Sequence, residues 1–205
     1  MKRKISLIVL LGIILPAISI IFMKISSSPD RIIKDLRNIK SYECDVTYTF
    51  INSMGKREEK AKQYFLREKG NRVVFGDNRI QVYNNEGQMV VGNGKHGIEY
   101  SASKENYNFY EVTFINYIAR YLNDADAISF EYDKKAEERC YKVTIPLEGN
   151  NPNFDKGIFY INIPCKVPEK LVIFNKKGDV TFEAIYSNFK INPGLEESLF
   201  QFQSN

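Results

Sequence analysis

The chain has 205 residues, enough for one domain with a buried core, and it carries 29 basic and 25 acidic side chains. The excess of positive charge comes from Lys2, Arg3, Lys4 and Lys24, since no acidic residue precedes Asp30. The remainder is electrically balanced, which gives no electrostatic reason to expect nucleic acid as a partner.

The N-terminal part of the chain is apolar. The uncharged run Ile5–Met23, at about 1.5 Å of rise per residue, comes close to the roughly 30 Å of a bilayer core. The basic residues before it predict a cytoplasmic N-terminus. We therefore expect residues 1–28 to be a signal anchor and residues 29–205 to form one domain on the outer face of a membrane. A signal peptide that is cleaved near small residues such as Ser19 or Ser28 is the alternative.

The chain has three cysteines, Cys44, Cys140 and Cys165. Cys44 and Cys165 are in phase with apolar neighbours, which predicts that both face the core. Their spacings match no zinc motif, so no metal site is expected, and whether Cys44 pairs with Cys165 stays open. Because the first cysteine, Cys44, falls far beyond the apolar run, lipidation at the end of a signal is excluded.

A helix is predicted directly after the apolar segment. Ser28 is a candidate cap, Pro29 suits the first helical position, and Asp30 suits the positive end of the helix dipole. Apolar residues then recur at helical spacing to about Lys40, namely at Ile32, Ile33, Leu36 and Ile39.

After Lys40 the period changes to two, and short turns rich in Asn, Asp and Gly separate the segments. This pattern predicts an antiparallel meander. Its expected strands are 41–52, 56–68, 72–75, 79–83, 88–91, 97–101, 128–132, 139–147, 158–163, 170–174 and 180–189. The polar strand Lys56–Lys62 is a candidate sheet edge, where its charges could serve either to recruit a partner strand or to prevent aggregation.

A second helix is predicted over residues 111–123, where Phe114, Ile115, Ile118 and Leu122 form one stripe. The expected fold class is therefore α+β and mainly antiparallel β. About ten or eleven strands would form a single curved sheet or open barrel around the helices.

Residues that would carry catalysis are few. His96 is the one histidine and lies in a turn, and the pairs Glu58-Glu59, Glu137-Glu138 and Glu196-Glu197 are adjacent in sequence. Adjacent residues on a strand point to opposite faces, so these pairs do not predict shared sites. The chain lacks Gly-x-Ser-x-Gly, a phosphate loop and a dinucleotide fingerprint. We expect a protein that is not an enzyme and has no cofactor.

Three segments resemble known families. The run from Ile32 to Val46, and Ile51–Lys56 with Gln63-Tyr64-Phe65 after it, resemble clostridial GerS-related germination proteins. The tail Leu195–Phe200 is similar to the close of LolA-like domains. The resemblance covers essentially residues 29–205.

The resemblance implies a LolA-like incomplete β-barrel with helices against its concave face. It also implies a non-catalytic germination protein that binds and supports a zinc-dependent N-acetylmuramoyl-L-alanine amidase. The two proteins would act during modification of spore cortex peptidoglycan, at the outer face of a spore membrane. GerS-type proteins are commonly lipoproteins, and this chain departs from them because it lacks the cysteine at the end of the signal.

The alternative function is that of a lipid or lipoprotein carrier, as in LolA itself, which needs an accessible apolar cavity. Tyr107, Phe109 and Tyr110 precede the second helix and are the candidate partner or lipid contacts, although aromatic residues there would equally suit the core. A tether at Ile5–Met23 would hinder a shuttle. A homodimer is a further open possibility.

Overall fold

The computed structural model describes residues 28–93, 97–103, 110–121, 130–133, 139–147 and 151–201. The predicted signal anchor at Ile5–Met23 lies outside these residues, as do His96, Tyr107 and Phe109. Within the described ranges, no helix is both long enough and apolar enough to cross a bilayer.

The first helix, α1, spans Pro29–Arg37 and confirms the prediction, although it ends a few residues earlier than Lys40. Pro29 lies in the first turn, where the N–H that proline lacks would have no helical partner anyway. Ser28 takes the N-cap position, but its side chain makes no capping hydrogen bond, so that part of the prediction is wrong.

The second helix, α2, spans Ile115–Tyr121 and follows a short 3-10 helix at Glu111–Thr113. Both lie within the predicted helical span. Phe114, between them, has an extended backbone and is fully buried.

In the part of the chain that the structure describes, eleven strands form one antiparallel sheet. They are β1 Ser41–Asn52, β2 Gly55–Leu66, β3 Gly70–Phe75, β4 Arg79–Tyr83, β5 Gln88–Asn93, β6 Gly97–Ser103, β7 Phe130–Asp133, β8 Cys140–Pro146, β9 Lys156–Asn162, β10 Val167–Phe174 and β11 Val180–Ile191.

The strand order is β6-β5-β4-β3-β2-β1-β11-β10-β9-β8-β7. Two meanders are therefore joined where β1 pairs with β11, from Tyr42 opposite Ile191 to Phe50 opposite Phe182. In the described part of the chain, β6 and β7 each pair on one side, so the sheet is open. The predicted fold class, an incomplete antiparallel barrel with helices on one face, is confirmed.

Both helices pack on the same side of the sheet, which we call the inner face. Alternate residues of β1 point to it, and they join Ile32, Ile33 and Leu36 of α1 and Ile115 and Ile118 of α2 in one hydrophobic core. Burying each such aliphatic or aromatic side chain contributes about 1.5–3 kcal/mol. The largest fully buried aromatic residues are Tyr42, Tyr48, Phe114, Phe159 and Phe182.

The C-terminal segment packs on the opposite side, the outer face. A 3-10 helix at Glu197–Phe200 lies over β3, where Arg72 Nη1 donates to the carbonyl of Leu199 at 2.5 Å. Lys69 Nζ lies 2.8 Å from a carboxylate oxygen of Glu197, and Phe200 is buried. The tail therefore covers the outer face at β3.

The cysteine predictions are corrected in part. Cys44 is buried as predicted, but Cys165 is exposed, and all three cysteines are free thiols in this structure. β9 ends at Asn162, whose side-chain oxygen accepts a hydrogen bond from the Cys165 N–H at 2.9 Å. Cys165 thus lies in a turn, where the alternation that predicted its burial no longer applies.

Candidate functional site

Tyr110 is the one predicted contact residue within the described ranges, and it is 8% exposed on the inner face. Its ring centroid lies 4.9 Å from those of both Tyr48 and Phe75. Its hydroxyl donates a hydrogen bond to a carboxylate oxygen of Glu59. The structure therefore places Tyr110 in the core against β1, β2 and β3, and its role as a partner or lipid contact stays a prediction.

Glu59 is the centre of a small charged cluster beside Tyr110. Its Oε1 atom lies 3.3 Å from Arg79 Nη2 and 3.6 Å from Arg57 Nη2. The guanidinium of Arg79 also stacks on Phe75, with Cζ 3.8 Å from the ring centroid. Because Glu59 is shared by two cations and a tyrosine hydroxyl, its carboxylate holds the segment before α2 against β2.

The β1–β2 hairpin extends past its neighbours. β1 pairs with β11 as far as Phe50, and β2 pairs with β3 only from Ala61 onward. At the tip of the hairpin Met54 is 92% exposed. We call residues 50–60 the hairpin end.

An open cavity of about 420 Å³ adjoins the hairpin end and is lined by Phe50, Asn52, Met54, Gly55, Lys56 and Arg57. Its lining combines two apolar side chains with two cations, of which Arg57 is 68% exposed. Aromatic residues, methionine and arginine are enriched in protein interfaces, so Phe50, Met54 and Arg57 are compatible with an interface here.

A second cleft lies between the two helices and the sheet. It has a volume of about 280 Å³, and its apolar wall comprises Leu36, Ile39, Tyr42, Phe65, Ile115 and Ala119. Arg37, Arg67, Asn85 and Asn116 also line it. The side-chain oxygen of Asn116 is buried and has no hydrogen-bond partner among the described residues.

A buried polar network fixes the segment that carries Tyr110. The amide nitrogen of Gln63 donates to Tyr48 and Thr113, both at 2.8 Å, while its oxygen accepts from Tyr42 at 3.3 Å. Thr113 in turn donates to the Tyr110 carbonyl at 2.6 Å and accepts at its own carbonyl from Tyr186 at 2.6 Å. The position of Tyr110 thus depends on side chains from β1, β2 and β11.

Burial raises the pKa of several acidic protons in this network. Loss of hydration, followed by the hydrogen bond to Glu59, raises the pKa of Tyr110 from 10.0 to about 12. Burial likewise raises the pKa values of the Tyr42, Tyr48 and Tyr186 hydroxyls and of the Cys44 thiol. Each group is therefore held neutral in the folded state, because its anion would be poorly solvated there.

We expect the free energy of unfolding to fall as the pH rises from about 9 toward about 12. The unfolded chain loses protons near the usual pKa values of 9.0 for Cys44 and 10.0 for Tyr110, whereas the folded chain retains them to higher pH. Urea unfolding at a series of pH values, with tyrosinate absorbance, measures this dependence. A flat stability profile, with every tyrosine ionising in the folded state near its usual pKa, would contradict it.

The sequence did not identify Glu59, Arg79, Gln63 or Thr113 as parts of this site. The first two are separated by 20 residues, and Gln63 and Thr113 by 50, so no local spacing connects them. Glu58 and Glu59 do point to opposite faces, as expected for neighbours on a strand. The described residues contain no group of three or more His, Cys, Asp or Glu side chains placed to hold a metal ion.

Comparison with protein families gives one match of nearly full length. The model of a family described as sporulation protein YdcC-like matches residues 2–200. A comparison with functionally curated proteins finds no match.

Solved structures of similar architecture include an uncharacterised conserved protein from Thermus thermophilus, with 15% identity and a TM-score of 0.52 over 84% of this chain and 93% of that one. A LolA superfamily protein from Nitrosomonas europaea has 10% identity and a TM-score of 0.41 over 84% and 96% of the two chains. The structure of the CwlD amidase from Clostridioides difficile in complex with the GerS lipoprotein gives 18% identity and a TM-score of 0.42 over 80% and 95%. Of these three, the first alone exceeds 0.5, and it supports the shared fold and nothing further.

Proposed function

The chain belongs to the family of YdcC-like sporulation proteins, and we propose that it is a non-catalytic protein of spore formation that binds and supports a cell-wall amidase. The substrate of that amidase would be spore cortex peptidoglycan. The family match over residues 2–200 is the observation that carries the assignment to spore formation.

The class of partner comes from the sequence resemblance to GerS-related germination proteins at residues 32–46, 51–56 and 63–65. That resemblance includes residues 51–56 at the tip of the hairpin end, which is the part of the sheet that projects beyond its neighbours. The tyrosines whose pKa values are raised by burial, Tyr110 among them, have structural contacts in the core. A binding role is therefore better supported than a catalytic one.

The location follows as part of the same proposal. The apolar run Ile5–Met23 would tether residues 29–205 to the outer face of a forespore membrane, and cleavage of a signal peptide is the alternative. N-terminal sequencing of the mature protein separates the two, since a tethered protein retains the whole run Ile5–Met23 and a cleaved one begins shortly after Ser19 or Ser28.

The test is co-purification during spore formation. The full chain, tagged at its C-terminus and expressed in its own sporulating host, is purified after mild crosslinking, and its partners are identified by mass spectrometry. We expect an N-acetylmuramoyl-L-alanine amidase, absent from a parallel purification with untagged chain. Recovery of the tagged chain without any amidase would overturn the proposal.

The cleft beside α1 and α2 supports a second candidate, a carrier of apolar ligands. Its volume of about 280 Å³ lies just below the roughly 300–1,000 Å³ that is usual for ligand sites. That space suits a single short chain better than a multiply acylated lipoprotein. Extraction of the purified full chain followed by mass spectrometry tests this candidate, because a carrier should retain a stoichiometric apolar ligand and a pure partner-binding protein should not.

A further inference from the structure

The turn of the β1–β2 hairpin has an apolar residue at its tip. We call residues 52–57 the apex. Met54 is 92% exposed there, whereas the next most exposed large apolar side chain of the described residues, Tyr100, is 53% exposed. The turn between β10 and β11 shows the contrast, because its sequence at residues 175–179, Asn-Lys-Lys-Gly-Asp, is polar throughout. A single exposed apolar side chain is ordinary on a protein surface, so the position of Met54 is what matters.

That position is the end of a projecting arm. Beyond Phe50 in β1 and before Lys60 in β2, the described strands pair only with each other. The side-chain oxygen of Asn52 accepts a hydrogen bond from the Met54 N–H at 2.9 Å, and Gly55 takes a φ of +134°. The turn is therefore held in one conformation, and Met54 stands clear of the rest of the sheet.

Two cations follow Met54 directly. Lys56 and Arg57 are both exposed, and the apex contains no carboxylate. Glu58 and Glu59 lie further from the tip, and Glu59 Oε1 lies nearer to Arg79, at 3.3 Å, than to Arg57, at 3.6 Å. From the tip inward the hairpin is thus first apolar and then cationic. This order suits the surface of a bilayer, where an apolar group enters the acyl boundary and cations stay among the headgroups.

From this arrangement we propose that the apex, with Met54 leading and Lys56 and Arg57 behind it, contacts the surface of a bilayer that contains anionic lipid. The inference rests on the tether in the proposed function. The chain from Met23 to Pro29 spans at most about 20 Å, which would keep the domain beside the bilayer. A weak contact then suffices, because tethering makes the encounter intramolecular. Attraction between the two cations and anionic headgroups acts over roughly 8–10 Å at physiological salt.

A pocket on a partner protein is a poorer occupant for the apex. Residues that contribute strongly to protein interfaces lie at the centre of a patch of about 800 Å² per partner, where surrounding contacts exclude water. Met54 has no such surroundings, because every other residue of the apex is polar or glycine. The headgroup region of a bilayer needs no matching patch, since it is fluid and accepts a small apolar group beside cations.

The experiment uses the full chain, reconstituted into vesicles of phosphatidylglycerol and phosphatidylcholine. Cys165→Ser removes the exposed thiol, and the other two cysteines are buried, so Ser53→Cys can be labelled with a fluorophore while Met54 stays in place. Phosphatidylcholine brominated in its acyl chains quenches a label that enters the bilayer surface. We expect quenching at least about twofold stronger for this label than for one on Lys177→Cys, in the polar turn at residues 175–179. Equal quenching at the two positions, or none at Ser53→Cys, would overturn the inference.

Variants of the labelled chain test the apolar and cationic contributions separately. Met54→Ser removes the apolar group, and Lys56→Gln with Arg57→Gln removes the charges, and all three side chains are exposed. We expect either change to weaken quenching at least about twofold, and the double variant to respond equally to vesicles with and without phosphatidylglycerol. Lys176→Gln with Lys177→Gln is the matched control, since it removes two cations from the polar turn and should change nothing. Quenching at Ser53→Cys that neither Met54→Ser nor the double variant alters would overturn the inference.

The same variants separate this inference from the proposed function. If Met54→Ser prevents co-purification of the amidase and the Ser53→Cys label is not quenched, the apex belongs to the protein partner and the lipid inference fails, whereas the amidase proposal stands. If quenching is as expected but no amidase is recovered, the lipid inference stands and the amidase proposal fails. A disulfide between two unlabelled Ser53→Cys chains, formed without lipid quenching, would assign the apex to a second copy and overturn the inference.

Discussion

Gly70→Ala is expected to lower the free energy of unfolding by about 2–5 kcal/mol. Gly70 has a φ of +105°, a conformation that residues with a Cβ atom rarely adopt. A Cβ at this position would lie 2.0 Å from the backbone oxygen of Tyr83. Backbone strain of about 1–2 kcal/mol adds to an overpacking cost of about 1–3 kcal/mol, because neither backbone can move aside without disturbing the pairing of β3 with β4.

Gly178→Ala is the matched control for this prediction. Gly178 also has a positive φ, +88°, but an added Cβ would find no atom within 4 Å. It should therefore incur only the strain of about 1–2 kcal/mol. Urea unfolding of both variants measures the difference, and equal losses of stability would show that the approach of Tyr83 is not what requires glycine at position 70.

The tight turn at Gly70 also bears on how α1 is held. Arg67, just before this turn, donates from Nη2 to the carbonyls of Arg37 at 2.6 Å and Ile39 at 2.8 Å. These carbonyls lie at and beyond the C-terminal end of α1, where helix carbonyls lack partners and a cation is favourable. The turn between β2 and β3 thus contributes to the position of α1, and through it to one wall of the cleft.

The strands of this fold could be predicted from sequence because their signals are local. β1 begins at Ser41 and ends at Asn52 in both the prediction and the structure, since its apolar residues alternate strictly and turn residues follow it. The ends of β9 could not be placed as well. The alternation of Phe159, Ile161 and Ile163 continues beyond Asn162 in the sequence, and this continuation led to the wrong prediction for Cys165.

The polar strand β2 shows a second limit. Its sequence predicted a sheet edge at Lys56–Lys62. The structure instead places β2 between β1 and β3, and only the first half of β2 lacks a pairing strand on the side away from β1. The difference arises from strand length, because β3 is half as long as β2 and stops opposite Ala61. The length of a neighbouring strand cannot be read from the residues of β2 itself.

Of the residues in the candidate site, only the aromatic residue Tyr110 could be predicted from the sequence. Tyr110 stood out because aromatic residues cluster before α2, but its partner Glu59 lies 51 residues away and reads as ordinary surface charge. Gln63 is likewise polar in a polar strand, yet it is fully buried. Its burial is tolerated because three hydroxyl groups from distant parts of the chain satisfy its amide, a condition that only the folded sheet creates.

We expect Gln63→Leu to lower the free energy of unfolding by about 3 kcal/mol. Leucine fills a similar volume, but it removes the partners of the hydroxyl groups of Tyr42, Tyr48 and Thr113 inside the core. Leaving a buried polar group without a partner costs about 1–3 kcal/mol. Thr113 keeps its bond to the Tyr110 carbonyl, and the Tyr42 hydroxyl keeps the bond that it accepts from the Ile115 N–H. Urea unfolding measures the loss of stability.

Gln81→Leu provides the matched control, because Gln81 is also buried but its oxygen accepts a single hydrogen bond, from Tyr83 at 2.7 Å. Its cost should be nearer 1 kcal/mol.

A double-mutant cycle of Gln63→Leu with Thr113→Val isolates the bond between β2 and the segment before α2, and we expect the two changes to be coupled by about 1 kcal/mol or more. Hydrogen exchange at the Ile115 amide, which donates to the Tyr42 hydroxyl at 3.3 Å, should quicken in Gln63→Leu and not in Gln81→Leu. Additive losses with unchanged exchange would mean that packing alone, and not the Gln63 network, holds α2 and Tyr110 against the sheet.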